Sequence, residues 1–201
     1  FHYGGKTLAE KQSPPLYIPM DDWLNFIGIW LAEGSTSKES YGVHVAQINT
    51  KKAEAIDRII KRLPFRFKKI KDGWKCYNKQ LWMYLRPLGM ALTKYVPWEY
   101  KELSPRQLSI LFDAMCLGDG NLQKTGFRIY YTVSKKLADD VQEILLKLGR
   151  VGIVKERPAR QGAIGNRLFK ITHPCFEVIE RIKKTVAWLD RRDMKMVSYS
   201  G

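Results

Sequence analysis

The chain has 201 residues, of which 45% are hydrophobic, and 35 Lys and Arg against 20 Asp and Glu give a formal net charge of +15. No apolar run approaches the ~20 residues that a membrane span requires, so a membrane protein is not expected. The positive charge predicts a polyanionic partner, because neutralising phosphates supplies much of the affinity for nucleic acid. The three cysteines and three histidines are scattered. Their spacing predicts no zinc site, and reduced thiols indicate an intracellular setting, in the cytoplasm or an organelle.

The elements of the first part of the chain can be taken in order. Residues 1–19 contain three prolines and predict an extended leader. Two acids then precede an apolar segment, Trp23 to Ala32, which ends in Glu33-Gly34 and predicts a helix. Alternation from Tyr41 to Ile48 predicts a strand, and a polar-capped stretch at 53–63 predicts a second helix.

The same series of elements recurs later in the chain. Ser104-Pro105-Arg106-Gln107 predicts a capping box, with proline at the first helical position. The apolar segment Leu108 to Gly118 follows and ends in Asp119-Gly120, with Asp119 lying 86 positions after Glu33. Small residues recur at the same offset: Gly28 with Ala114, and Ala32 with Gly118. Phe127 to Val133 then predicts a strand and 137–148 a helix.

A further match pairs Trp74-Lys75 with Phe169-Lys170, each before a final helical segment. Each half is therefore predicted as helix, two strands, helix, two strands, helix, which is an α+β arrangement of two pseudo-symmetric units. The predicted boundaries are a leader at 1–19, a first half at 20–90, a linker at 91–103, a second half at 104–189 and a tail at 190–201.

The two apolar segments predict a pair of closely packed helices. Small residues four positions apart lie on one face of a helix and let two backbones approach. Gly34 and Gly120 are expected to end the helices in left-handed caps. Glu33 and Asp119 would then meet at one end of the seam. Like charges in contact repel, and a bound divalent cation with oxygen ligands removes that conflict.

The segments FIGIWLAEG and FDAMCLGDG resemble the paired motifs of the LAGLIDADG homing endonucleases, and the resemblance extends from about Tyr17 to Leu189. It implies two αββαββα half-domains, with the motif helices at the seam and two saddle-shaped antiparallel sheets in successive major grooves of double-stranded DNA. It also implies a monomer that hydrolyses both strands of a long, non-palindromic site with Mg²⁺ or another divalent cation such as Mn²⁺.

The resemblance also assigns site residues. Glu33 and Asp119 take the acidic catalytic places, although the ideal first motif has Asp rather than Glu. Lys75 and Lys170 match the basic catalytic residue near the scissile phosphates. The metal-binding residues assigned on this basis are Glu33, Asp119, Gly34 and Gly118.

Two predicted hairpins are strongly basic. Residues 61–79 contain eight basic residues and one acid, and residues 151–170 contain five basic residues and one acid. Apolar residues interleave with the charges, so one face packs while the other suits a major groove. The residues predicted to contact DNA are Lys38, His44, Gln47, Lys68, Lys71, Arg128, Tyr130, Arg157, Arg160 and Arg167.

Several interpretations stay open. The tail from Met196 and the leader around Tyr17 resemble the segments that flank endonuclease domains in inteins, and a free-standing intron-encoded enzyme is the alternative. A relative that binds nucleic acid without cutting, such as an intron RNA maturase or a transcriptional regulator, is a second alternative. A generic basic α+β domain for structured RNA leaves the repeated acidic-Gly ends unexplained. Retention of both acids favours cleavage.

Overall fold

A computed structural model describes residues 17–124, 126–164 and 167–181, without the side chains of 160–171. Most of the predicted leader, the predicted final helix of the second half and the tail lie outside these residues. Within the part of the chain described, no helix is long and apolar enough to cross a membrane.

The first half follows the predicted αββαββα order. Its elements are α1 (Met20–Glu33), β1 (Gly34–Thr36), β2 (Gly42–Ala46), α2 (Thr50–Ile60), β3 (Lys68–Ile70), β4 (Gly73–Tyr77) and α3 (Lys79–Leu85). The four strands form one antiparallel sheet in the order β1-β2-β4-β3. A single 3-10 turn, Arg86–Leu88, follows α3.

A short helix, α4 (Trp98–Lys101), lies within the predicted linker and precedes the second half. The second half contains α5 (Pro105–Asp119), β5 (Gly120–Leu122), β6 (Arg128–Thr132), α6 (Lys135–Lys147), β7 (Val151–Arg157), β8 (Arg160–Ile164), β9 (Arg167–Ile171) and β10 (Cys175–Arg181). Its four-stranded antiparallel sheet has the order β5-β6-β10-β7, and β8 pairs with β9 as a separate hairpin. The α+β fold with two antiparallel sheets is confirmed.

The predicted equivalence of Trp74-Lys75 and Phe169-Lys170 is wrong. The counterpart of β4 in the second sheet is β10, because each lies third in its strand order. Lys75 pairs with His44, and the same register position in the second sheet pairs Ile179 with Ile129. The β8–β9 hairpin is an insertion in the second half, and its own aromatic-lysine pair, Phe169-Lys170, only resembles Trp74-Lys75 in sequence.

The seam between α1 and α5 depends on its small residues, as predicted. A Cβ on Gly28 would lie 2.6 Å from Ala114 Cβ and 2.6 Å from the Leu111 carbonyl oxygen. A Cβ on Gly118 would lie 2.5 Å from Ala32 Cβ. The two pairs that recur at the same sequence offset are therefore direct contacts between the helices. The capping box of Ser104 and Gln107 at the start of α5 is also confirmed.

The prediction of left-handed caps at the ends of the motif helices is wrong. Gly34 has φ −86° and ψ 155°, and Gly120 has φ −97° and ψ 158°. Both are extended, because each helix passes directly into a strand. Glycine is needed there for space, since a Cβ on Gly34 would lie 2.3 Å from Trp30 Cδ1 and one on Gly120 2.4 Å from the Cys116 carbonyl oxygen.

Alternation along the strands divides each sheet into a core face against the helices and an outer face. Val43 and Val45 are fully buried on the core face of the first sheet. The outer face of this sheet carries one paired row across β2, β4 and β3, formed by His44, Lys75 and Lys68. The corresponding outer row of the second sheet, across β6, β10 and β7, is formed by Ile129, Ile179 and Ile153.

Candidate active site at the end of the helix seam

Two carboxylates end the two motif helices. Glu33 is the last residue of α1 and Asp119 the last residue of α5, and both are half-buried. Both line a cavity of about 320 Å³, together with Lys94 and residues 131–133 of the second sheet. The predicted meeting of the two acids at one end of the seam is therefore found.

Burial and mutual repulsion hold the pKa values of both acids high. Burial, and after it the charge of Glu33, raise the pKa of Asp119 to about 7 against the positive charges of Lys94 and Lys52. Burial also raises the pKa of Glu33, against the charge of Lys52 and a hydrogen bond from Gln47. Two acids that resist ionisation together gain from a cation placed between them.

Gln47 is tied to the first acid. Its Nε2 donates to Glu33 Oε1 at 2.8 Å, and its Oε1 accepts from the Asn49 backbone N–H at 2.9 Å. Gln47 was predicted to contact DNA, whereas in this structure it orients Glu33. The register places Thr132 at the same position of the second half, and its hydroxyl accepts from the Ser134 backbone N–H at 3.1 Å.

Lys94, which no sequence pattern singled out, is buried beneath α1. Its side chain is 4% exposed, and its Nζ donates to the carbonyl oxygens of Trp30 at 2.9 Å, Leu31 at 3.0 Å and Ala32 at 3.5 Å. Burial lowers the pKa of Lys94 to about 8, and the charges of Asp119 and Glu33 oppose this. Its position in a predicted linker gave no sign that it reaches the site.

Lys52 plays the corresponding part for α5. From the first turn of α2 its Nζ donates to the carbonyl oxygen of Gly118 at 2.5 Å and to that of Gly120 at 3.4 Å. Gly118 was predicted as a metal-binding residue, and in this structure its carbonyl oxygen accepts a hydrogen bond from the Lys52 ammonium group. Both lysines lie at the negative ends of the helix dipoles, where positive charge is stabilising.

The donor groups suit a hard divalent cation. Within the described residues there is no cluster of three or more His, Cys, Asp or Glu side chains. The two carboxylates would hold the ion, with the remaining ligands supplied by backbone carbonyls, water or phosphate. Such all-oxygen sets are the ones that Mg²⁺ prefers.

In the first half, the predicted DNA contacts lie mainly on exposed surface. Lys38, Lys68 and Lys71 are exposed, and Lys68 shares the outer face with Lys75 and His44. Lys75 Nζ lies 4.9 Å from the centre of the Tyr77 ring. A cavity of about 340 Å³ beside this row is lined in part by His44, Asp72 and Lys75.

In the second half, two of the predicted DNA contacts are wrong. Tyr130 is 0% exposed on the core face, because the register is one residue away from the predicted one. Arg128 also lies on the core face, where it pairs with Glu180 at 2.9 Å and with Asp113. Arg157 is exposed and pairs with Glu177 at 3.0 Å. The side chains of Arg160, Arg167 and Lys170 lie outside the described residues.

The chain is similar in structure to proteins of known fold. A mesophilic variant of the homing endonuclease I-DmoI matches with a TM-score of 0.52 and 11% identity over 85% of this chain and 93% of that one. I-DmoI in complex with DNA and Ca matches with a TM-score of 0.52 and 12% identity over 86% and 88%. The N-terminal LAGLIDADG domain of DUF199/WhiA matches with a TM-score of 0.52 and 9% identity over 88% and 82%. The chain therefore has the fold of these proteins.

Two curated proteins are similar in sequence to this chain over part of their length. An ATP-dependent Clp protease proteolytic subunit of Chlamydomonas moewusii is 30% identical over 165 residues, covering 75% of this chain and 16% of that protein. A DNA-directed RNA polymerase subunit beta C-terminal section of Stigeoclonium helveticum is 29% identical over 184 residues, covering 69% and 17%. The chain thus spans about one sixth of each relative. No protein-family model matches the chain.

Proposed function

We propose that this chain is a site-specific endonuclease that cuts both strands of double-stranded DNA by metal-dependent phosphodiester hydrolysis. The observation that carries the proposal is the meeting of Glu33 and Asp119 at the ends of two helices packed through glycine and alanine. Two half-buried acids of raised pKa are costly for folding, and a binding site for cations accounts for that cost. The fold shared with I-DmoI and the charge of +15 support a DNA substrate.

Each residue of the site has a definite part in the proposed mechanism. Glu33 and Asp119 would hold Mg²⁺ or Mn²⁺, which activates a water and stabilises the leaving phosphate oxygen when bound. Gln47 fixes the orientation of the Glu33 carboxylate. Lys75 lies on the outer face of the first sheet, where its charge would stabilise the phosphate as negative charge develops. Lys170 lies on the separate β8–β9 hairpin and not at the position equivalent to Lys75, and it is proposed to stabilise the other scissile phosphate from there.

The two sheets would bind successive parts of one duplex. The outer face of the first sheet carries His44, Lys68 and Lys75, which suit phosphates and base edges in a major groove. Because the second sheet has a different outer face, we expect a monomer to read a long, non-palindromic site. A symmetric site bound by a dimer would contradict this.

Cleavage of a plasmid library that carries randomised targets tests the function directly. With Mg²⁺ we expect linear product, and with a chelator we expect none. Glu33→Gln and Asp119→Asn should each abolish cutting, by about a thousandfold or more, and leave duplex binding largely intact. Lost binding with unchanged turnover of the remaining complex would contradict the assignment of the acids.

A second candidate is a relative that binds nucleic acid without cutting. Two lysine ammonium groups already balance the two carboxylates, so the seam is neutral without a metal. The DUF199/WhiA domain has a similar fold. Specific duplex binding with no cleavage in Mg²⁺ or Mn²⁺ over the whole library would favour this candidate.

The two proposed catalytic lysines are tested by strand bias. Lys75→Met and Lys170→Met keep most of the side-chain volume and remove the charge. Loss of one electrostatic stabiliser commonly costs ~3 kcal/mol, about a hundredfold in rate. Each variant should accumulate nicked circles before linear product, whereas Lys135→Met, at an exposed position of α6, should cut like the native protein. Parental rates on both strands in both variants would refute the role.

We also infer that the chain belongs to an element inserted in a host gene, of intein type. The support is that one chain resembles about one sixth of two proteins whose names denote unrelated functions. The sequence on either side of the chain in its gene tests this inference. Flanks that continue in frame into splicing segments and a host protein would support it, and a free-standing reading frame inside an intron would refute it.

A further inference from the structure

Equivalent carbonyl groups at the ends of the two motif helices are both occupied by lysine. Ala32 and Gly118 occupy the same position in their motifs, immediately before the acids. The Ala32 carbonyl accepts from Lys94 at 3.5 Å and the Gly118 carbonyl accepts from Lys52 at 2.5 Å. Each lysine therefore holds a positive charge beside the acids, where a divalent ion would bind.

We propose that both lysines are built-in substitutes for a divalent ion in the metal-free protein, and that only Lys52 gives up its place when an ion binds. The inference rests on the proposed function, because it concerns the same metal site. It predicts that the native chain binds one divalent ion, on the side of the seam where Lys52 contacts Gly118, and does not readily bind a second.

The two lysines differ in how firmly they are held. Lys94 is 4% exposed and donates to three successive carbonyl groups of α1, so its departure would remove three hydrogen bonds and leave a buried space at the end of the helix. Lys52 is half-buried and reaches two carbonyl groups from the first turn of α2. A long side chain at such a position can turn towards solvent or a phosphate without disturbing the core.

The two lysines come from different parts of the fold, because Lys52 lies on α2 and Lys94 lies in the predicted linker. The N-caps of α2 and α6, Asn49 and Ser134, place Leu137 at the position of Lys52. Leu137 is 1% exposed and part of the core. At this position the second half therefore has a core leucine in place of a lysine that could reach back to α1, and Lys94 from the predicted linker contacts α1 instead.

The net charge of the two acids and the two lysines determines how strongly the seam attracts a divalent ion. With both acids ionised and both lysines protonated, the seam carries no net charge, so the metal-free protein attracts a divalent ion only weakly. Removal of the Lys52 charge leaves the acids in excess and frees the Gly118 carbonyl as a ligand. Removal of a neighbouring surface charge does neither.

The test is titration of the protein alone with Mn²⁺, with free Mn²⁺ followed by electron paramagnetic resonance. Lys52→Met should bind Mn²⁺ more tightly than the native protein by roughly tenfold or more, since a competing positive charge a few ångströms away is removed. Lys51→Met is the matched control, because it removes the same charge from the exposed adjacent position of α2. Its affinity should stay within about twofold of native.

Unchanged or weaker binding by Lys52→Met would overturn the proposal, as would an equal gain by Lys51→Met. Lys94→Met should open a second place and raise the stoichiometry from one ion to two. Should that variant fail to fold, the native protein still decides the point: two ions of similar affinity per native chain would overturn the proposal. Plasmid cleavage is scored separately, so the predicted Mn²⁺ binding without cutting would refute the proposed function alone.

Discussion

The two four-stranded sheets have the same strand order and different outer faces. Across the first sheet the paired row is His44, Lys75 and Lys68, whereas across the second it is Ile129, Ile179 and Ile153. On the core faces the halves agree, since Val45 and Tyr130 share a register position and both are fully buried. The repeat thus conserves what packs against the helices and leaves the outer face free to diverge.

The helix seam is the part where the halves are most alike. Gly28 contacts Ala114 in one direction and Gly118 contacts Ala32 in the other. Each contact leaves no room for a further methyl group, so both helices carry the same constraint. The comparison implies that substitutions at the seam damage both halves together, while substitutions on an outer face affect one half only.

The largest effect is therefore expected at Gly28. Its Cβ would already lie 2.6 Å from Ala114 Cβ and from a backbone oxygen of α5, so valine must push the helices apart. We expect Gly28→Val to lower the free energy of unfolding by about 4 kcal/mol or more. Urea denaturation followed by circular dichroism measures this.

Glu54→Val, at an exposed position of α2, is the control, because it introduces the same side chain away from the seam. It should cost under about 1 kcal/mol, from helix propensity alone. A Gly28→Val protein as stable as this control would show that the seam is not close-packed.

The parts of the fold that sequence predicted are those where one physical requirement dominates. Small residues four apart predicted the helix contact, because no other side chains permit that approach. The acidic ends of the helices predicted the meeting of Glu33 and Asp119. The caps were wrong because a glycine after a helix serves either a left-handed turn or close packing, and the letters alone do not distinguish the two.

Other parts depended on register or on long-range contacts. A shift of one residue moved Tyr130 and Arg128 from the predicted outer face to the core. Lys52 and Lys94 reach carbonyl groups more than 60 positions away in the chain, and no local pattern signals such contacts. Sequence therefore located the acids of the site and missed the cations that balance them.

The environments of the two acids differ between the halves, and the pH dependence of stability distinguishes Asp119 from Glu33. The pKa of Asp119 is raised to about 7, so the folded state holds its proton more tightly than the unfolded chain. Its contribution to stability is full below about pH 4 and is lost as pH rises towards 7. Between pH 4 and pH 7, in chelator, the free energy of unfolding of the native protein should fall by about 3 kcal/mol more than that of Asp119→Asn.

Glu33→Gln provides the comparison for this prediction. The pKa of Glu33 is also raised, but a hydrogen bond from Gln47 favours its charged form. Glu33→Gln also removes the charge that raises the pKa of Asp119, but burial still raises that pKa, so this variant should keep part of the pH dependence that Asp119→Asn loses. Equal slopes for the native protein and Asp119→Asn from pH 4 to 7, by urea denaturation, would contradict the raised pKa.

The smallest expected effect is a difference between the two outer faces in how much each contributes to the salt dependence of DNA affinity. If the first sheet holds DNA phosphates through Lys68 and Lys75, the double variant Lys68→Met, Lys75→Met should flatten the dependence of log affinity on log salt by about 1.8 for a random duplex.

The matched variant in the second sheet is Lys155→Met, Arg157→Met. Arg157 is already paired with Glu177 at 3.0 Å, so its charge is partly neutralised before DNA arrives. This second variant should change the slope by about 0.9 or less. Fluorescence anisotropy from 50 to 300 mM KCl measures both slopes on one duplex. If both double variants change the slope equally, the two outer faces contact DNA phosphates to the same extent. The difference between the lysine row and the isoleucine row would then affect packing and not DNA binding.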